Sequence, residues 1–198
     1  MKLSLNKKLA GLAFLLSLLA MLISLIFPSS ASQKRASIKI EYLSVLDLAT
    51  EIRNRKPVRL IDLRDDSSFA AFHIPTAEPY SLNNLQNLEI NSSIKTTLYS
   101  DEVDISEQAF YLLADRGMEN LFVLNGGIQD WYDRILYPKM PKTIPDNYED
   151  IATQIKSLSA YFGGHSIYVD EGNPLNYYKG IAESSPSTKT KRLIRMGC

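Results

Sequence analysis

The chain of 198 residues holds one cysteine, Cys198, at its last position. An internal disulfide is therefore excluded, and the body of the fold has no thiol to offer. Net charge is missing too. The 22 basic and 22 acidic residues cancel, so the overall balance gives no reason to expect nucleic acid or another polyanion, and binding must be argued locally. Histidine is limited to His73 and His165. Neither lies in a serine-hydrolase motif, so no serine has an evident base. No repeat of roughly 20 to 50 residues is visible, and low complexity is confined to the tail around Ser184 to Lys191. A chain of this length is expected to hold one ordinary core plus extensions.

The first segment differs from the rest. Lys2, Lys7 and Lys8 precede Leu9 to Phe27, an uncharged and mostly apolar run. At 1.5 Å per helical residue it is long enough to cross a hydrocarbon core of about 30 Å. Residues 1–28 are read as a transmembrane anchor or an uncleaved signal, with the membrane contacted through residues 9–27 and the lysines on the cytoplasmic side. The domain would then be single-pass anchored at the cell membrane on the periplasmic or extracytoplasmic side. Two alternatives stay open. Ser29-Ser30-Ala31 offers small residues for signal cleavage and release to the periplasm, and the run could instead be a buried core helix.

Ser29 to Ser37 lacks apolar periodicity and reads as a linker. A domain is expected over 38–137. Apolar residues at helical spacing predict helices over Leu43 to Ile52, Ser106 to Arg116 and Ile128 to Arg134. Short apolar runs predict strands at Val58 to Leu63, Thr97 to Tyr99 and Leu121 to Leu124. Gly117 reads as a helix C-cap and Asn125-Gly126-Gly127 as a tight turn. This alternation predicts an α/β domain with a mainly parallel sheet, whose ligands would sit at the strand carboxyl ends. The loop after Tyr99 is where chemistry should be sought. Ile151, Ile155, Leu158 and Tyr161 predict one more helix in an extension over 138–165, and 166–198 reads as a flexible tail.

At this point particular residues resemble a known family. Leu60-Ile61-Asp62-Leu63-Arg64, Phe69 and His73-Ile74-Pro75-Thr76-Ala77 resemble the opening signature of rhodanese-like domains, where a strand ends in Asp-x-Arg before a His-Ile-Pro-Gly-Ala turn. Leu98-Tyr99, Ala109, Leu112 to Gly117, Val123 to Gly127 and Trp131 resemble the closing half. The resemblance covers about Ile38 to Leu136 and implies a rhodanese-like parallel sheet flanked by helices. In that family the loop after the central strand resembles Cys-x-x-Gly-x-Arg-Ser, and its cysteine carries sulfur as a persulfide, a task that needs an ionised thiol. Here the stretch is Ser100-Asp101-Glu102-Val103-Asp104-Ile105-Ser106.

Each position with a chemical task has changed. Ser100 takes the cysteine place, and an unactivated hydroxyl cannot store sulfane sulfur. Val103 replaces the glycine, and a β-branched residue resists the positive φ that would turn backbone amides inward. Ile105 replaces the arginine. Asp101, Glu102 and Asp104 add negative charge where an anion would bind; two like charges about 4 Å apart repel by roughly 1 kcal/mol in water and about 4 kcal/mol at an effective dielectric of 20.

The remaining motif residues have plain structural readings. His73 would fix its turn by hydrogen bonding, Asp62 and Arg64 would form a charge-assisted pair at the strand end, and Gly126 and Gly127 lack the further residues of phosphate-binding loops. The three carboxylates do not match an EF-hand pattern. Neither a metal nor a cofactor is expected. The chain is read as a catalytically inactive, membrane-tethered module that binds or scaffolds proteins, with no role in binding nucleic acid. The rival reading is a sulfurtransferase or hydrolase with displaced chemistry at Cys198 or Ser100.

Overall fold

A computed structural model describes residues 5–26, 38–170 and 173–184. The chain divides into two units, Met1–Lys39 and Ile40–Cys198. In the first, helix α1 spans Leu5–Ile26. Successive helical residues are turned by about 100°, so the closely spaced apolar side chains of Phe14, Leu15, Leu16, Leu18 and Leu19 face every direction. All are exposed. A helix thus occupies the segment expected to cross a membrane, but among the described residues no helix is long and apolar enough to do so. Phe27, the small residues at 29–31 and the linker lie outside the described residues.

The second unit is built on a five-stranded sheet in the order β1-β5-β4-β2-β3, from β1 (Tyr42–Leu43), β2 (Val58–Asp62), β3 (Ala77–Pro79), β4 (Lys95–Tyr99) and β5 (Leu121–Leu124). Every pairing is parallel, with Leu60 opposite Thr97 and Leu98 opposite Val123. Parallel strands are covered on both faces. The carboxyl halves of β2 and β4 carry the apolar pairs Leu60-Ile61 and Leu98-Tyr99 accordingly, and Leu60, Ile61, Leu98 and Val123 have no exposed surface.

Helix α2 (Val45–Arg53) starts two residues after the expected Leu43, which belongs to β1 instead. The Ser44 side chain accepts from the Asp47 backbone N–H and so fixes the start. Helices α3 (Asp66–Ala71), α4 (Val103–Asp115) and α5 (Gly127–Trp131) follow. Beyond α5, Tyr132–Leu136 widens into a π-helical turn.

The extension joins the same core. Strand β6 (Lys139–Pro141) pairs in parallel with β7 (Ile167–Val169), and α6 (Glu149–Tyr161) lies between them in sequence. Ile151, Ile155 and Leu158 of α6 are buried. The expectation of a flexible tail over 166–198 is corrected for its first part. After β7, helix α7 spans Pro174–Ser184 and buries Tyr178, Ile181 and Ala182 in the common core. A proline at the first helical position and apolar residues at spacings of three and four account for it. Residues 185–198, including Cys198, lie outside the described residues.

Candidate functional site

The carboxyl ends of β2 and β4 meet at one buried polar knot. Arg64 grips the Asp62 carboxylate through two nitrogens, Nε at 3.0 Å from Oδ1 and Nη2 at 2.7 Å from Oδ2. Its Nη2 also donates to the Phe72 carbonyl at 2.6 Å. The Tyr99 hydroxyl donates to Asp62 Oδ2 at 2.6 Å and accepts from the Ile74 backbone N–H at 3.2 Å. Strand, helix and turn are thus tied through one carboxylate that has no exposed surface. Burial, with the Asp62 carboxylate next in effect, pushes the Tyr99 phenol far above its usual range. The hydrogen bond to Asp62 likewise raises the Arg64 guanidinium, against the opposing effect of burial. Both stay in the protonation state that the knot requires.

The turn beside the knot carries strain. Thr76 stands where the resembling motif has glycine, and it adopts φ 74°, a left-handed conformation that costs a β-branched residue roughly 1–2 kcal/mol. His73 is exposed, stacks on Phe69 with centroids 4.0 Å apart, and approaches the Phe69 carbonyl with Nδ1 at 3.0 Å.

The stretch after β4 differs from the expected loop. Helix α4 begins at Val103 rather than Ser106. Only Ser100, Asp101 and Glu102 remain between strand and helix, while Val103, Asp104 and Ile105 form the first helical turn. Acidic residues beside a helix N-terminus complement its dipole, and that signal was present in the sequence at Asp104. Ser100 is 2% exposed, and its carbonyl accepts from the Ile128 N–H at 3.2 Å. A Cβ on Gly127, at φ 55°, would come within 2.2 Å of that carbonyl. Glycine is therefore required for α5 to close over the end of β4.

Asp101, Glu102, Val103 and Asp104 are exposed. Asp101 Oδ1 stands 3.8 Å from Arg64 Nη1, so one of the three carboxylates has a cation beside it. Trp131 is fully buried against Phe162, its Nε1 without a partner among the described residues. Of the aromatic pair ending α6, Phe162 packs inward and Tyr161 is 55% exposed. Among the described residues no cluster of three or more His, Cys, Asp or Glu is placed to hold a metal ion.

Residues 44–134 match the model of the rhodanese-like domain family. The chain carries a rhodanese-like domain. The match takes in the Asp62–Arg64–Tyr99 knot, the shortened loop and the Gly126-Gly127 turn, and it ends before the extension. The "Centrosomal protein of 41 kDa" of Rattus norvegicus is 32% identical over 98 residues, 43% of this chain and 27% of that protein. Its Gallus gallus counterpart is 29% identical over 110 residues, 50% of this chain and 29% of that protein. The match thus spans little more than a quarter of these relatives. Among solved structures, a rhodanese-like domain protein from Staphylococcus aureus is 21% identical, with 46% of this chain and 91% of that one covered and a TM-score of 0.43. A thiosulfate sulfurtransferase from Pseudomonas aeruginosa is 26% identical, with 48% and 19% covered and a TM-score of 0.43.

The knot was legible in sequence as an Asp62–Arg64 pair; Tyr99 as its third member was not. A strand residue gives no sign in sequence of where its hydroxyl ends.

Proposed function

We propose that this rhodanese-like domain is catalytically inactive and works as a protein-binding module tethered to a membrane by its N-terminal helix. The observation that carries the reading is the form of the segment after β4. Ser100 is buried at the position that the family resemblance gives to the sulfur-carrying cysteine, and only Asp101 and Glu102, two carboxylates that repel an anion, stand between it and the helix that starts at Val103. The relatives' name states a location, the centrosome, and no reaction, which also favours a non-catalytic role.

Full-length protein in detergent should release no thiocyanate from thiosulfate and cyanide above the rate of a Ser100→Ala variant. Turnover at a rate comparable with an active sulfurtransferase, and lost in Ser100→Ala, would refute inactivity. The rival reading, sulfur carried by Cys198, predicts instead a persulfide on Cys198 after incubation with a sulfur donor.

For binding, exposed Asp101, Glu102 and Asp104 around exposed Val103 suit a basic patch on a partner, with attraction that fades as salt rises. Replacing the three carboxylates together by Asn, Gln and Asn should leave stability within about 0.5 kcal/mol while reducing partner recovery from solubilised membranes. The tether rests on α1, whose apolar side chains are exposed on all sides and call for lipid or another apolar cover. Protease added to spheroplasts should remove the domain, and protection until lysis would reverse the proposed periplasmic orientation. A mature chain starting near Ser32 would mean a cleaved signal.

A further inference from the structure

A cavity of about 410 Å³ opens one strand away from the knot, between the carboxyl ends of β1 and β5 and helix α7. Its floor is apolar: Val45, Leu46, Ile155 and Ile181 line it, and all four are buried. Its polar lining includes Asn125, Arg134 and Tyr177. Small-molecule sites commonly have this make-up, an apolar pocket of roughly 300–1,000 Å³ with a few polar groups.

Gly180, in the wall of the cavity, gives the second observation. It lies inside α7, where glycine is unfavourable relative to alanine. Its φ is not positive, and a Cβ built on it would meet nothing within 4 Å. Neither backbone conformation nor close packing calls for glycine there. What its missing side chain provides is open space in the cavity.

The polar groups indicate what could fill that space. Arg134 donates from Nε to Asp130 Oδ2 at 2.9 Å, and this is its only ion pair among the described residues. Asp130 is the one carboxylate in the lining, and with Arg134 it leaves the lining without net charge. The two Nη groups of Arg134 can still take a carboxylate in the forked geometry that guanidinium favours. Tyr177 stays a neutral donor, because burial pushes its phenol up to about 12.

We propose that this cavity binds a small carboxylate with an apolar or aromatic body, the body on the Val45–Leu46–Ile155–Ile181 floor and the carboxylate on Arg134. The site is separate from the segment after β4, so it stands or falls apart from the inactive-domain reading.

The test uses the full chain, with 2-naphthoate as probe and neutral 2-naphthamide as control, followed by titration calorimetry. Saturable binding of 2-naphthoate is expected, weaker by about tenfold or more for the amide and for Arg134→Gln, since charge-assisted hydrogen bonds are the strong ones. Gly180→Leu should abolish binding by filling the space while raising the melting temperature. No saturable binding to the native chain would overturn the proposal. So would equal binding of acid and amide, or binding unchanged in a folded Gly180→Leu protein, which would place the probe elsewhere, for instance on α1. Should Gly180→Leu fail to fold, Arg134→Gln and the amide control decide.

Discussion

The carboxyl edge of the sheet is finished in two different ways. At β2 and β4, where the resembling family has its chemistry, Asp62, Arg64 and Tyr99 use their polar atoms on one another and on the Phe72 and Ile74 backbone, and α5 closes onto the Ser100 carbonyl. At β1 and β5 the residues past the strands leave a cavity under α7, with Asn125, Arg134 and Tyr177 in its lining. The first end is tied shut and the second is open. A fold can therefore keep the framework of a site while the room for a ligand lies one strand away.

The sharpest way to break the contrast is to cut the knot. Asp62→Asn removes the buried countercharge of the Arg64 guanidinium, whose side chain is 8% exposed, and leaves only the exposed Asp101 carboxylate 3.8 Å away. Removing one partner of a buried ion pair costs roughly 3–5 kcal/mol. A loss of about 3 kcal/mol in urea unfolding is expected, and a loss below about 1 kcal/mol would mean that the knot does not hold this end together.

The next effect has the opposite sign. Thr76→Gly should stabilise by about 1 kcal/mol, the relief of left-handed strain less the larger unfolded-state entropy of glycine. A lower denaturation midpoint would show that the Thr76 side chain contributes more than its φ costs.

The open end makes its own prediction through the roof helix. The Tyr178 hydroxyl is fully buried and without a partner among the described residues, and a buried unsatisfied hydroxyl is a cost of about 1 kcal/mol or more. Tyr178→Phe should thus raise stability by about that amount, whereas a drop would point to an ordered water satisfying the hydroxyl.

The smallest effect is a pH dependence outside both regions. Tyr42 donates to the Glu107 carboxylate, and this bond, with burial next, raises its phenol from the usual 10 to about 12. A raised folded-state value favours the protonated form. Its contribution is complete below about pH 10 and is lost as pH rises toward 12. Across that window the thermal midpoint of the native protein should fall more steeply than that of Tyr42→Phe, and identical slopes would remove Tyr42 from the account.

Strands β2, β4 and β5 were legible from Leu60-Ile61, Leu98-Tyr99 and Leu121 to Leu124, short apolar runs that a sheet covered on both faces calls for. Strands β1 and β3 were not, since two or three residues are too few to set a period. The start of α4 was misplaced because the family loop suggested an irregular stretch through Ile105, whereas local physics favoured a helix: no glycine breaks the backbone, Asp104 suits the first turn, and Ile105, Ala109 and Phe110 already fall at helical spacing. Helix α7 adjoins the low complexity of the tail, yet Pro174, Leu175, Tyr178 and Ile181 carry its pattern. The cavity had no signal in sequence, since its lining comes from segments as far apart as Ser44 and Ile181.

The β6–β7 pairing gives the extension a property of a different kind. Residues 139–169 form a loop whose ends are clasped by parallel strand bonds, with the His165 N–H donating to the Leu136 carbonyl at 2.9 Å and the Ile167 N–H to Pro138 at 2.9 Å. Many small extracellular proteins close such a loop with a disulfide. This clasp is made of backbone hydrogen bonds in a chain with no cysteine before Cys198, so its closure has no redox potential. Thiol reductants and oxidants should leave the joint alike, and the extension keeps its grip on the domain in an oxidising or a reducing compartment.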